Sequence, residues 1–217
     1  MLDAADRSLI ISMTELMVRE GGTLQKSMNF RDDGIRLSVF LLLPRIEGYT
    51  DVWDADTNTL MFEGHDSIAE GAQGRNDHQL LMYASGKPTE NGRFYTVAQA
   101  YKDGMRAEPL QVQVYEKIDA GVFFDKGIFN LVDATYGKAE RDLRKVARFI
   151  LSPVDTVLPL RERILWDERM LPASVKAEAW QKDGGRCTVC SEQSELHFDV
   201  CEGCPILHCS AHLVSNQ

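Results

Sequence analysis

Two cysteine pairs near the end of the chain carry the clearest chemical signal in the sequence. Cys187 and Cys190 are separated by two residues, and Cys201 and Cys204 repeat that spacing after ten intervening residues. Four thiolates spaced in this way are typical ligands of a structural, tetrahedral zinc site, and the metal would supply folding energy to a segment without a core of its own. The spacing therefore predicts a bound Zn²⁺. The alternative is a disordered tail with reduced cysteines.

A second group of chemically useful side chains lies between residues 47 and 67. Tyr49 and Phe62 are aromatic residues on two strand-like runs, and Asp51 lies between them. A protein that reads a base inside a duplex must flip it out, stack rings against it and hydrogen-bond its edge. Two rings and a carboxylate facing one cavity can do this. Periodicity alone favours the alternative that the rings are ordinary core residues of a half-buried sheet.

The composition limits the class of protein. The 217 residues are 44% hydrophobic and 26% charged, which is typical of a globular chain with one full domain and a smaller appendage. An apolar run of membrane-spanning length and a secretory leader pattern are both lacking, so we expect a cytoplasmic protein with no membrane partner. The net charge of −9 argues against nonspecific phosphate affinity. Any contact with DNA should therefore be local and dependent on shape.

The pattern of apolar residues predicts the elements that position these groups. Residues 4–20 carry apolar side chains at helical spacing, and two glycines follow. From Arg36 onward, short β-rich runs alternate with turn residues, which indicates a small, strongly bent sheet or barrel. Residues 94–104 are the one plausible helix within it. The DKG sequence at 125–127 predicts a hairpin turn, and 144–151 is compatible with a helix or a strand.

Several segments in the right order resemble the SRA domains, which flip out 5-methylcytosine or 5-hydroxymethylcytosine and belong to the PUA-like barrels. The resemblance covers about residues 35–151. It is carried by GYTDVWDADTNTLMFEGHD, by NDHQLLMYA at 76–84, which is similar to a helix of the family, by PLQVQVYEKI, and by GVFFDKGIFNLVDA, whose FDKG lies near the family's Tyr-Asp-Gly.

The resemblance implies a role for each residue of the candidate pocket. Tyr49 and Phe62 match the two stacking rings, although the family more usually has Tyr at the second position. Asp51 matches the acid that reads the cytosine edge, and Asp54 is a neighbouring candidate. The loop that lines the pocket, or fills the gap left by the flipped base, would contain Gly64 and His65.

The stretch at 173–199, with its Trp, DGGRC and LHFD, resembles the start of the HNH nucleases. In that family the Asp of an Asp-His pair binds a catalytic divalent ion such as Mg²⁺, and the His activates water. Asp199 matches the metal position, but Val200 stands where the base should be. His197, His208 and His212 are candidate substitutes. The early end of the sequence suggests a truncated or frame-shifted module, in which the second cysteine pair would be fortuitous.

Together these resemblances identify the chain with the SRA-HNH modification-dependent restriction endonucleases. The predicted fold class is α+β, with a bent SRA-type β-barrel, flanking helices and a small zinc-knuckle, ββα-metal module. The predicted parts are an N-terminal amphipathic helix (1–25), the modified-base domain (26–152), a linker (153–172) and the partial HNH module (173–217).

The predicted function is recognition of modified cytosine in double-stranded DNA by base flipping, within an endonuclease that hydrolyses phosphodiesters, with a homodimer favoured by paired cutting. One alternative is a modified-DNA binding protein with an inactive, zinc-held nuclease remnant. Another is a PUA-like RNA-binding module, which would show no preference for modified DNA.

Overall fold

A computed structural model describes residues 9–24, 27–31, 33–43, 51–54, 56–65, 78–139, 144–154, 173–191, 193, 196–200 and 211–215. The chain divides into two compact units. The terminal unit comprises Met1–Thr23, Tyr115–Gly127 and Thr156–Gln217, and the central unit comprises Leu24–Val114 and Ile128–Asp155. The boundaries predicted from sequence for the helix, base domain, linker and nuclease module stay predictions.

The described residues form a sheet-dominated α+β structure, which confirms the predicted class. In chain order the elements are β1 (Ile10–Ser12), α1 (Met13–Arg19), β2 (Met28–Asn29), β3 (Ser38–Leu42), β4 (Val52–Asp54), β5 (Thr59–Glu63), α2 (Glu90–Lys102), β6 (Leu110–Asp119), β7 (Val122–Lys138), β8 (Lys145–Pro153), α3 (Ala173–Asp183), β9 (Leu196–Val200) and β10 (Ala211–Ser215). Among the described helices, none has the length and apolar character needed to cross a membrane.

Eight of these strands form one sheet, in the order β2-β3-β6-β7-β8-β5-β4, with β1 also paired to β7. The pairs β4–β5, β5–β8 and β7–β8 are antiparallel. Strands β9 and β10 form a separate antiparallel pair. The helix predicted at 94–104 is confirmed as far as Lys102, where α2 ends. The ambiguous segment at 144–151 is a strand from Lys145 onward, and from Ala147 its buried residues alternate with half-buried ones.

The core of the central unit is built from phenylalanine rings. Phe40 of β3 lies parallel to Phe62 of β5, with ring centroids 4.6 Å apart and an interplanar angle of 9°. Phe94 of α2 packs on Phe40 at 4.5 Å. Both Phe94 and Phe149 of β8 are fully buried. Because such rings bury large apolar areas, their packing holds α2 against the sheet.

The N-terminal segment differs from the predicted helix over 4–20, which is wrong at its start. Residues 10–12 form β1, in which Ile10 pairs with Phe124 of β7, and the helix begins at Met13. Two adjacent β-branched residues favour the extended pairing. Ser12 then begins the helix through a capping box, since its hydroxyl accepts the N–H of Glu15 and its own N–H donates to the Glu15 carboxylate.

Two other local predictions are also wrong. The chain does not turn at 125–127, which lie within β7; the β6–β7 turn is at Ala120 and Gly121, where Gly121 has a φ of 72°. Glycine tolerates this left-handed conformation, and the Asp119 carboxylate accepts the N–H of Ala120. The described part of 76–84 contains no helix, and its Met82 makes an isolated β-bridge to Pro88.

The terminal unit encloses a buried charge cluster, Glu116, Lys126 and Lys176, beside its apolar core. One carboxylate oxygen of Glu116 lies 2.7 Å from Nζ of Lys176 and 3.6 Å from Nζ of Lys126. Lys176 is completely buried, and its ammonium lies 3.9 Å from the ring centroid of Phe124. The ion pairs join α3 to the β6–β7 hairpin, and the cation–π contact adds to them.

Burial raises the pKa of Glu116, but the charges of Lys126 and Lys176 together lower it by more than burial raises it. The pKa therefore lies below its ordinary value of 4.5. A carboxyl whose pKa is lower in the folded state than in the unfolded state stabilises the fold above its ordinary pKa. That contribution is lost as the pH falls below 4.5.

We expect Glu116→Gln to lower the free energy of unfolding by about 3–5 kcal/mol at neutral pH, because it leaves two buried ammonium groups without this carboxylate. The loss should shrink as the pH is lowered, since protonated Glu116 resembles the variant. Urea unfolding monitored by circular dichroism at several pH values measures both effects. The control is Glu178→Gln, on the exposed side of α3. Equal stability of the two variants would contradict the role given to the cluster.

Candidate functional site

Several of the predicted pocket residues meet where β5 ends. Asp51 lies just before β4, is half-buried, and accepts the backbone N–H of Glu63 at 3.1 Å through Oδ1. This bond ties the carboxylate to the backbone at the end of β5. Tyr49, the predicted stacking ring, lies outside the described residues. Of the predicted pocket, Asp51 is thus the acid beside the end of β5.

Asp54 is used by the turn between β4 and β5. Its carboxylate accepts the N–H of Asp56 at 2.9 Å and the hydroxyl of Thr57 at 2.8 Å. The hydroxyl of Thr57, and then the N–H of Asp56, lower the pKa of Asp54, so the group is ionised at neutral pH. This is the behaviour of an aspartate that closes a turn. Of the two candidate acids, Asp51 is the one beside Glu63.

Phe62 is a core residue, which corrects its prediction as a stacking ring. Only 1% of its surface is exposed, and its face is covered by Phe40. The ring of half-buried His65 lies 6.2 Å from the Phe62 ring, measured between centroids. The alternation of β5 turns Phe62 toward the core, which the sequence could not distinguish from the opposite orientation. Phe62 therefore contributes to the core packing and not to the surface of the candidate site.

A buried hydrogen-bond network fixes the backbone that follows β5. Gly64 donates its N–H to the carbonyl of Ala147 at 2.8 Å, and its carbonyl accepts the side-chain amide of Gln79. Asn91 of α2 bonds both backbone groups of His65, accepting the N–H at 3.1 Å and donating to the carbonyl at 2.6 Å. Gln79 and Asn91 are buried. Since their amides are satisfied by backbone groups, they hold residues 64–65 in one position.

Gly64 is required by this network. A Cβ at this position would lie 2.5 Å from Oδ1 of Asn91 and 3.0 Å from Oε1 of Gln79. Real Cβ atoms do not approach another atom as closely as 2.5 Å, so the Asn91 amide would have to move, and the 3.0 Å contact would crowd the Gln79 amide. The resemblance places Gly64 in a pocket loop, which stays a prediction, and in the structure its lack of a side chain leaves room for two buried amides.

An ion pair completes this polar cluster, which we define as Glu63, Gly64, Gln79, Asn91 and Arg144. Nη2 of Arg144 lies 3.2 Å from Oε1 of Glu63, and both side chains are buried, with 5% and 4% exposed. Sequence reasoning missed Glu63, Gln79, Asn91 and Arg144, because polar residues near apolar runs are usually solvated. The cluster gives the Asp51 and His65 positions a rigid support.

Cys187 and Cys190 in the terminal unit have the geometry of a knuckle. The buried sulfur of Cys187 accepts the backbone N–H groups of Val189 and Cys190, each at 3.4 Å, while Cys190 is exposed. N–H donors directed at a sulfur stabilise its thiolate form, the form that binds metal. These two residues therefore fit a zinc site. In the described part of the chain no group of three or more metal-binding side chains occurs, and Cys201 and Cys204 lie outside it.

The register of the β9–β10 pair places the candidate nuclease residues. Asp199 pairs with His212, and Phe198 pairs with Leu213. Leu213 and Phe198 are buried in the core of this unit. Positions 197, 199 and 212 alternate with these core positions. The register makes Asp199 of β9 and His212 of β10 direct cross-strand neighbours. His197 lies two residues before Asp199 in β9.

Comparison with known proteins finds no matching family model and no matching curated protein. Among solved structures, the chain is similar to the SUVH5 SRA domain in complex with hemi-methylated CG DNA, with 18% identity, a TM-score of 0.44, and coverage of 69% of this chain and 89% of that one. It is also similar to KRYPTONITE in complex with mCHH DNA, with 14% identity, a TM-score of 0.47, and coverage of 71% of this chain and 32% of that one. The chain is likewise similar to SUVH9, with 16% identity, a TM-score of 0.44, and coverage of 75% of this chain and 31% of that one. The chain thus spans about a third of the latter two chains.

We expect Gly64→Ala to lower the free energy of unfolding by about 1–3 kcal/mol, because the added methyl group displaces the amides of Gln79 and Asn91. Thermal unfolding followed by circular dichroism measures the change. Gly137→Ala in β7 is the matched control, since a Cβ there meets nothing within 4 Å. If both variants unfold at the same temperature as the parent protein, Gly64 is not held by the polar cluster.

Proposed function

We propose that the central unit is an SRA-type, PUA-like barrel that binds modified cytosine in double-stranded DNA by base flipping. The observation that carries the proposal is the half-buried carboxylate of Asp51 at the end of β5, held by the N–H of Glu63 and next to the rigid backbone of Gly64 and His65. The ordered motifs over residues 35–151 support it. The net charge of −9 also favours local recognition over nonspecific phosphate binding.

Each group has a task in this proposal. Asp51 accepts a hydrogen bond from the exocyclic amine of the flipped cytosine through a carboxylate oxygen. Tyr49 supplies the stacking ring, because Phe62 is buried against Phe40. His65 and Gly64 form the loop wall, and the polar cluster keeps that wall from shifting when the base enters. Rigid support of this kind improves affinity by reducing the ordering required on binding.

We expect Asp51→Asn and Tyr49→Ala each to abolish the preference for modified over unmodified duplexes. The amide introduced by Asp51→Asn would present an N–H₂ group to the cytosine amine, where the carboxylate accepts a bond; one such contact is worth about 1–3 kcal/mol. Fluorescence anisotropy with duplexes carrying cytosine, 5-methylcytosine or 5-hydroxymethylcytosine measures the preference. The series includes both modifications, and SUVH5 has been solved with hemi-methylated and with fully hydroxymethylated CG DNA.

Asp54→Asn is the matched control for Asp51→Asn. An asparagine retains the turn-closing acceptor of Asp54, and that side chain is exposed. The control should therefore keep the parent's preference. Unchanged preference in Asp51→Asn, or loss of preference in Asp54→Asn alone, would remove Asp51 from the base site. A parent protein with no preference among the duplexes would overturn the function itself.

We further propose that the terminal unit is a zinc-held nuclease module, which would place the chain in the SRA-HNH endonuclease family. The observation that favours it is the pairing of Asp199 with His212, since Val200 stands in the position of the family's base. Asp199 would hold a divalent ion such as Mg²⁺, which stabilises charge on the scissile phosphate. His212 would accept a proton from water, and His197 is the second candidate for that role. Cutting of both strands would favour a homodimer.

We expect the full chain to nick modified duplexes in Mg²⁺, with Asp199→Ala and His212→Ala each inactive and His197→Ala active, as gel electrophoresis of end-labelled DNA would show. Zinc measured by mass spectrometry on the same preparations should fall in Cys187→Ser. Binding without cleavage by the parent would support the inactive remnant instead. A zinc-free parent protein with an intact fold would remove the cysteines from the proposal.

A further inference from the structure

A cavity lies in the central unit, at the start of β3. It has a volume of about 680 Å³ and is lined by the loop before β3, the end of α2, the segment before β6, and Asn130 of β7. Cavities that bind small ligands measure about 300–1,000 Å³. None of its described lining residues belongs to the polar cluster or to the predicted base pocket. We name it the arginine cavity, for Arg31, Arg36 and Arg106.

The charge of the arginine cavity is opposite to that of the whole chain. Three guanidinium groups line it, and Glu108 is the only carboxylate among the described lining residues. The chain as a whole carries a net charge of −9. Three cations around one space in an acidic protein favour an anionic ligand there, since each guanidinium offers a planar array of N–H donors.

The protein holds two of these arginines through the Nε atom. Nε of Arg36 donates to Asp33 at 2.9 Å, and Nε of Arg106 donates to the carbonyl of Glu108 at 2.7 Å. Within the part of the chain that the structure describes, the Nη groups of Arg36 and Arg106 have no protein acceptor. Each guanidinium is thus fixed at one edge, and its Nη donors are left for a ligand.

Asp33 also shapes the loop that presents Arg36. Its Oδ1 accepts the N–H groups of Arg36 at 2.8 Å and Ile35 at 3.0 Å. These bonds, that of Arg36 first, lower the pKa of Asp33 to about 2, so the carboxylate stays charged at neutral pH. Arg31 is held from the other side, because its Nη1 donates to the carbonyl of Leu37 at 3.0 Å. The loop therefore keeps both arginines beside the cavity without a ligand.

We propose that the arginine cavity binds the phosphate group of a phosphate ester. A phosphate group is tetrahedral, is negatively charged as a monoester or a diester, and has at least two unesterified acceptor oxygens. It therefore suits three guanidinium groups, because arginine binds phosphate through paired hydrogen bonds. The half-buried ring of Tyr101 lines the same space and suits an aromatic base attached to the phosphate. The phosphate can come from a free mononucleotide or from the backbone of DNA, and the experiment separates these sources.

The test is isothermal titration calorimetry of the full chain with adenosine monophosphate, with inorganic phosphate and with a short unmodified duplex. Because the duplex is unmodified, recognition of a modified base plays no part. We expect at least one probe to bind, and the double variant Arg36→Gln/Arg106→Gln to weaken that binding about tenfold or more, since hydrogen bonds to charged groups are strong. Binding of the monophosphate indicates a nucleotide site, and binding of the duplex alone indicates a backbone contact.

The matched control is Lys117→Gln, which removes one exposed positive charge from β6 at a position that does not line the cavity. It should leave binding unchanged. Two single variants test the site without removing an arginine: Glu108→Gln should tighten binding about twofold or more, and Gln111→Glu should weaken it similarly. Both side chains are exposed, so the fold should tolerate these changes. No binding of any probe by the parent, or equal binding by the parent and the arginine variant, would overturn the proposal.

Discussion

The arrangement of the central unit depends on the hydrogen bonds of one completely buried side chain, the amide of Gln79. Its side chain donates to Gly64 after β5 and accepts from Ala147 of β8, and its backbone carbonyl accepts the hydroxyl of Tyr136 of β7. A buried amide without partners destabilises a fold by about 1–3 kcal/mol. These bonds form together only when the three strands are in their native places. The amide thus couples the strand order to the position of Gly64 and His65.

The terminal unit is organised by a similar constraint, with charges in place of amides. Lys176 of α3 is completely buried and meets Glu116 of β6. An ion buried in a protein interior needs a partner at close range, so α3 can pack only where that carboxylate is found. The rest of this core is apolar and would tolerate shifts more easily. The charge cluster therefore fixes the position of α3, the helix that precedes Cys187 in the chain.

The two proposed sites of the central unit recognise opposite chemistry. Asp51 offers acceptors to a base, whereas Arg36 and Arg106 offer donors to a phosphate. In a chain with a net charge of −9, long-range attraction to DNA is weak, and short-range hydrogen bonds must supply the affinity. Each site accordingly combines a carboxylate or guanidinium side chain with a hydrogen bond that fixes its position.

Some features follow from the sequence by itself, because they depend on neighbours in the chain. The helical pattern at 94–104, the β-rich runs from Arg36 onward and the Cys187–Cys190 knuckle are of this kind. Local spacing was less informative where two pairings competed, as at Ile10 and in the hairpin expected at 125–127.

Only the tertiary structure decided which face of each strand is buried. Period-two alternation defines two faces but does not say which one meets the core, so Phe62 fits a stacking ring by pattern although Phe40 covers it in the fold. The ion pair of Glu63 with Arg144 joins residues that are far apart in the sequence. The register that places Asp199 opposite His212 joins two separate strands. Such contacts depend on packing and register, which no local pattern records.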